Sequence, residues 1–434
     1  MIIKTNLLPL YRAASFCLQP LAGPFLRRRL KQGKEDELRL GEKLGMSELA
    51  RPAGALVWLH GASVGEAMAL RPLVQRLLDR GFKVLLTTGT ATSARLVQAQ
   101  LGSGPLHQFA PLDGPLFVRR FLDHWAPDLA LVAESEFWPN MFQGLAKRGI
   151  PLIVVNARMS PRSARRWARL PGTIAALLHD VRLCLAQSDA DASHLSALGM
   201  PAVLSVGNLK YDAAAPTADA RALSLLGGAI GTRPAWLAAS THPGEEDVIA
   251  RVHRAASAQI PELLTMIAPR HHDRGEVIAA ELARSGFHVA QRSRNELPGP
   301  QTEIYIADSM GEMGVLFRAA PIVLMGKSLA LPGGAARGGG QNPIEPAKLG
   351  CAVLHGPLVS NFATTYSALD EACGALLVPD EAALTQALHL LFRDTALMRK
   401  MARAAQETVS HMTGASDHTL AALAPWLDAL QVER

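Results

Sequence analysis

The residues of this chain best suited to chemistry sit where short apolar runs end. The run 55–59 leads into Gly61-Ala62-Ser63-Val64-Gly65-Glu66, and that string has three readings. Glu66 falls in the first turn of a helix starting near Ser63 or Val64, where the helix dipole favours a carboxylate in any protein. Gly61 to Gly65 also match G-x-S-x-G in a strand, turn and helix context, which would make Ser63 a hydrolase nucleophile. Finally, a carboxylate at the carboxyl end of a parallel strand can take a proton from a substrate hydroxyl, which would make Glu66 a general base. These residues alone leave all three readings open.

Further along, the run 129–133 is followed by Glu134-Ser135-Glu136-Phe137-Trp138-Pro139-Asn140, two carboxylates that strand alternation would send the same way. The run 152–155 ends in Asn156-Ala157-Arg158, then Arg162, Arg165, Arg166 and Arg169. A charge run of this kind is usually a solvated face, but beside strand-end carboxylates it also suits an anionic substrate. Gly207-Asn208-Leu209-Lys210-Tyr211-Asp212 follows the run 203–206. The second half places Ser240-Thr241-His242, Pro269-Arg270-His271-His272, Asp308-Ser309-Met310-Gly311-Glu312 and Asn342-Pro343-Ile344-Glu345 at comparable points. Lys210, Arg270 and the helix start at Met310 to Glu312 suit neutralisation of an anion, with a structural ion pair as the plainer role for each cation. Glu345 can accept from ribose hydroxyls, or serve as capping-box partner to Asn342, with Pro343 in the first turn.

Elements that would position such residues are legible as alternating strands and helices in both halves. With 434 residues, two cores are expected. The pattern predicts an α/β protein of two doubly wound Rossmann-like domains facing across a cleft. Boundaries fall at 1–30 for an N-terminal segment, 31–215 and 216–405 for the domains, and 406–434 for a C-terminal helical segment. Neither a G-x-G-x-x-G fingerprint after the first strand nor a P-loop is present, against hydride transfer and Walker-type hydrolysis.

Composition narrows the partners. A net charge of +6 with only 5% aromatic residues lacks the interleaving of bases and rings that stacks nucleic acid, so no nucleic-acid partner is expected. Cys17, Cys184, Cys351 and Cys373 are scattered, and adjacent His271 and His272 point different ways on a regular element. No metal site and no cofactor are therefore expected. Residues 1–26 are weakly apolar, broken by Lys4, Arg12 and three prolines, and flanked by Arg27-Arg28-Arg29-Leu30-Lys31. That is too short to span a bilayer but suits an interfacial anchor on an anionic leaflet, the alternative being an ordinary amphipathic first helix.

Nine of these strings, Gly356-Pro357 among them, occur in the order seen in one family. On them the chain resembles the 3-deoxy-D-manno-octulosonic acid (Kdo) transferases of lipopolysaccharide synthesis. The resemblance implies a GT-B glycosyltransferase that moves Kdo from a CMP-Kdo donor to a lipid A precursor acceptor by inverting displacement, at the cytoplasmic side of the inner membrane. It implies that 31–215 take the lipid and 216–405 the CMP-sugar. By the same resemblance Glu66 is the base, Glu134 and Lys210 support the transition state, and Ser63, Gly65, Glu136, Asn140, Arg158, Ser240, Thr241 and His242 contact substrate. CMP contacts carry over to Pro269, Arg270, Met310, Gly311, Glu312, Asn342, Pro343, Ile344 and Glu345. The chain departs from the pattern at Gly326-Lys327-Ser328-Leu329, where the family has Gly-Gly-Ser-Leu, and in a longer Gly-rich link, 331–340, containing Arg337. The rivals are a GT-B lipid glycosyltransferase using a UDP-sugar, a hydrolase with Ser63 as nucleophile, and a membrane scaffold.

Overall fold

In the computed structural model, which describes residues 5–102, 104–331 and 338–432, the apolar runs become parallel strands. The expectations resting on Lys4, Arg337 and the loop 332–337 lie outside the described residues. The chain divides into two units, Met1–Ala213 with Met412–Arg434, and Ala214–His411. The last helix, Ala415–Val432, thus groups with the first unit.

The first unit holds β1 (Leu56–His60), β2 (Lys83–Thr88), β3 (Leu106–Phe109), β4 (Leu129–Ala133), β5 (Leu152–Ala157), β6 (Val181–Ala186) and β7 (Val203–Ser205), in the order β3-β2-β1-β4-β5-β6-β7. All pair in parallel, with Leu59 opposite Leu86 on one side and Leu131 on the other. Every residue of β1 and β4 is buried, as a parallel sheet covered by helices on both faces requires. One face packs Trp58, Phe121 and Trp125. The other packs Leu59, Leu70 and Leu73 with Leu420, Leu423 and Leu427 of the last helix.

The second unit repeats the plan with β8 (Ala235–Thr241), β9 (Leu264–Pro269), β10 (Val289–Gln291), β11 (Ile304–Ile306), β12 (Ile322–Met325), β13 (Ala352–His355) and β14 (Ala375–Leu377), ordered β10-β11-β9-β8-β12-β13-β14. The likeness extends to side chains. Trp58 Nε1 donates to Thr87 Oγ1 at 2.9 Å, and Trp236 Nε1 to Thr265 Oγ1 at 2.7 Å, each joining a unit's first strand to its second.

Both sheets reverse their strand order beside the first strand, between β1 and β4 and between β8 and β12. Such a reversal splays the connections apart and opens a crevice at the carboxyl ends of the strands. The strands absent from the sequence reading, β3, β10 and β14, all lie at sheet edges, where less burial leaves a weaker apolar signal.

Candidate functional site

At the β1 end, Ser63 is the N-cap of the helix Val64–Ala69. Its hydroxyl donates to Glu66 Oε1 at 2.6 Å and accepts from the Glu66 N–H at 3.3 Å, while the Ala62 N–H donates to Oε2 at 2.8 Å. This resembles a capping box, with the half-buried carboxylate accepting the N–H just before the cap residue in place of the cap's own. Each oxygen keeps a second lone pair for another donor. The turn is tight because Gly61 lies against the helix, where an added Cβ would stand 2.9 Å from the Ala67 nitrogen. The hydrolase reading fails on these contacts. Ser63 bonds to a glutamate, and the nearby His60 is buried with Nδ1 on Thr87 Oγ1 at 2.9 Å. Burial pushes that imidazole down to about 4, so it stays neutral.

Across the strand reversal, the chain leaves β4 through Glu134 with φ of 56°. Strand alternation therefore stops there, and the expectation that Glu134 and Glu136 share one direction by pleating is corrected: each carboxylate has its own surroundings. Glu134 Oε1 accepts from Lys210 Nζ at 2.9 Å. Glu136 has its pKa raised by burial first, then by the negative charges of Glu66 and Glu134, against a hydrogen bond from Trp138. Thus Glu66, Glu134, Glu136 and Lys210 gather at the ends of β1 and β4. Lys210 is held by an Asx turn, in which Asn208 Oδ1 accepts its N–H at 3.0 Å, and by Asn156 Oδ1, which accepts the Leu209 N–H at 2.9 Å. Asn156 can reach because its φ of 48° coincides with a register shift between β5 and β6, a bulge that re-aims the side chain.

The second unit builds its reversal from another residue set. Ser240, with φ of 57°, bulges β8 against β9. Thr241 is buried and donates to Glu246 Oε1 at 2.8 Å, so its hydroxyl is already used. Glu245, only 1% exposed, accepts four backbone N–H groups. His242 and Lys327 donate to Oε2 at 2.9 and 2.7 Å, Ser328 and Leu329 to Oε1 at 3.1 and 3.3 Å. Burial raises its pKa, and those four bonds oppose the rise. His242 Nε2 lies 2.9 Å from Gln341 Nε2, and its ring meets that of His271 edge to face at 6.1 Å. Burial first, then the charges of Lys327, His271 and Arg270, hold its pKa below the usual imidazole value. Arg270 is exposed and its N–H donates to the Thr241 carbonyl at 3.0 Å. Glu345 has its pKa raised by burial, opposed by an Asn342 hydrogen bond of 3.3 Å and by Arg270 and Lys348.

Some expected site residues stand elsewhere. Asn140 is 2% exposed, its amide donating to Ser15 Oγ at 2.9 Å and its backbone N–H to Asp113 at 3.0 Å, so it braces a helix start from within the core. Glu312 holds Arg292 through both oxygens, with 2.7 Å as the shortest contact, leaving Met310 and Gly311 exposed beside it. Pro343 and Ile344 are buried, and Asn342 Oδ1 caps the Ile344 N–H at 3.1 Å. Arg158 is half-buried and Gly65 exposed, while the basic helix Pro161–Trp167 turns Arg162, Arg165 and Arg166 to solvent. Sequence reasoning missed the ties of Asn156 to Leu209 and of Glu245 to 327–329, because those partners lie 53 and 82–84 residues apart.

Residues 38–213 match the family model described as 3-Deoxy-D-manno-octulosonic-acid transferase (kdotransferase). The 3-deoxy-D-manno-octulosonic acid transferase of Haemophilus influenzae is 32% identical over 96% of this chain and 98% of its own length. That of Bordetella pertussis is 37% identical over 96% and 99%. Among solved structures, a glycosyltransferase of Rickettsia africae aligns with a TM-score of 0.58 at 12% identity, over 87% of this chain and 99% of that one, a likeness of fold alone.

Proposed function

Because the chain belongs to the 3-deoxy-D-manno-octulosonic acid transferase family, we propose that it is a GT-B glycosyltransferase that moves Kdo from CMP-Kdo to a lipid A precursor, with Glu66 as general base. The observation that carries this reading is the half-buried Glu66 carboxylate, pinned at the β1–β4 reversal beside Glu136 and the Glu134–Lys210 pair.

In this mechanism the acceptor hydroxyl gives its proton to Glu66 as its oxygen bonds to the anomeric carbon of Kdo. The bond from that carbon to the CMP phosphate oxygen breaks, and its electron pair leaves with CMP. Attack opposite the leaving group inverts the centre. A carboxylate fixed by two hydrogen bonds needs no reorganisation to receive the proton. Lys210 offers positive charge as the sugar and leaving group separate, and Glu134 holds that ammonium in place. The donor nucleotide falls to the second unit, whose strand reversal presents Arg270, His271 and Lys327.

Membrane contact is part of the proposal. The helices Leu8–Leu18 and Ala22–Lys31 expose Leu10, Phe16, Leu18, Leu21 and Phe25 next to Arg12 and Arg27 to Arg29, as an interfacial element on an anionic leaflet would. Among the described residues, no helix is long and apolar enough to cross a membrane. Incubation with CMP-Kdo and a lipid A precursor should yield a product heavier by one or more Kdo residues, in chelator as well as without it. A product formed from a UDP-sugar instead, or none from CMP-Kdo, would refute the assignment.

A further inference from the structure

At the carboxyl end of β12 stands a residue whose backbone suits glycine better than its own side chain. Lys327 has φ of 58°, in the left-handed region that L residues with long side chains rarely occupy. Its neighbours hold it there. Its N–H donates to Glu245 at 2.7 Å, and its carbonyl accepts the Gly339 and Gly340 N–H groups at 3.1 and 2.9 Å. Glycine would take this conformation without strain; what lysine adds is an ammonium.

That ammonium has a defined setting. The Glu245 oxygen that accepts the Lys327 N–H also accepts that of His242, so the two residues leave the backbone side by side, one after each strand of the reversal. Arg270 and His271 follow the adjoining β9. The buried carboxylates nearby are already committed, Glu245 to four N–H groups and Glu246 to Thr241 and Arg274. Among the described residues, neither Lys327 nor Arg270 forms a salt bridge. Lys327, without an ion-pair partner among the described residues, converges with Arg270 and His271 at the ligand end of a doubly wound sheet, the arrangement an anion fills.

We propose that Lys327 binds an anionic group of the donor, its phosphate or its sugar carboxylate. This rests on the reading of the second unit as the donor-binding one. The test uses the full chain with Lys327→Gly and Lys327→Asn, which remove the charge but accept the left-handed backbone, and Lys327→Arg, which keeps the charge. The dissociation constants of CMP and of cytidine, the KM for CMP-Kdo and the Tm are measured on each. If Lys327 holds the phosphate, CMP binding weakens about tenfold in the two neutral variants, cytidine binding does not change, and Lys327→Arg stays near wild type. If it holds the sugar carboxylate, CMP binding is kept and the KM for CMP-Kdo rises about tenfold. In either case the Tm of Lys327→Gly is unchanged or rises by up to about 4 °C, as relief of backbone strain implies. CMP affinity and KM both within about twofold of wild type, or a lowered Tm with CMP and cytidine weakened equally, would overturn the proposal. Failure of the wild type to bind CMP would instead remove the donor-site reading beneath it.

Discussion

Glu66 and Glu245 occupy the same place in two copies of one design, and their surroundings differ. Each ends a turn of the form x-x-Gly-Glu, Ser63-Val64-Gly65-Glu66 in the first unit and His242-Pro243-Gly244-Glu245 in the second, just past the first strand of a seven-stranded sheet. Each accepts a backbone N–H from the turn it closes. Glu245 then takes three more from 327–329 and is sealed. Glu66 takes one serine hydroxyl and stays half-open beside a second carboxylate. On the proposed mechanism, a glutamate at a strand-end turn is a scaffold or a base according to how many donors surround it, and local sequence does not say which.

The comparison breaks most visibly at Glu245. Glu245→Ala leaves four N–H groups without an acceptor, two of them fully buried, which costs about 3 kcal/mol or more, and roughly 2–4 °C of Tm per kcal/mol in a unit of this size. Differential scanning calorimetry should show the second unit melting earlier and CMP no longer raising its Tm. An unchanged Tm would mean the carboxylate is not the latch described.

Next in size is the pair behind the proposed base. Glu134→Gln and Lys210→Met should each slow transfer about tenfold or more. The double variant should lose less than the two losses combined, with a coupling of about 0.5–3 kcal/mol. Fully additive losses would show that the 2.9 Å contact carries no joint function.

Smallest is Glu136. Its folded pKa lies above the ordinary value, so near neutral pH the folded state pays to keep it ionised, and stability rises as pH falls through the folded pKa. Glu136→Gln should thus stabilise the chain at pH 7 by about 0.5 kcal/mol, a gain that vanishes below the ordinary carboxylate range. A gain that grows on acidification would contradict the sign.

The fold was legible where burial is deepest. The cores of β1, β4, β5, β8 and β12 are runs that only a two-sided parallel sheet buries, so strand, turn and cleft end could be read together. Outer strands such as β10 and β14 are three residues long and leave no such trace. For the site, positions were legible and commitments were not. Glu66, Glu134 and Lys210 were placed by their strand ends, but Asn140 and Glu312 looked equally available and proved to be held by Asp113 and Arg292. Those partners come from distant segments, and Asn140 is drawn inward by a carboxylate 27 residues earlier. The bulges at Asn156 and Ser240 likewise depend on pairing that one strand cannot announce.

Glu66→Gln tests the contrast between the two glutamates most directly, because glutamine can still accept the Ala62 N–H yet cannot hold the acceptor's proton. With saturating CMP-Kdo and lipid A precursor, the single-turnover transfer rate should fall about 10²–10⁴-fold while CMP still raises the Tm as in the wild type. A rate within about tenfold of wild type, at the same CMP-induced shift, would contradict the account and leave Glu66, like Glu245, a scaffold residue.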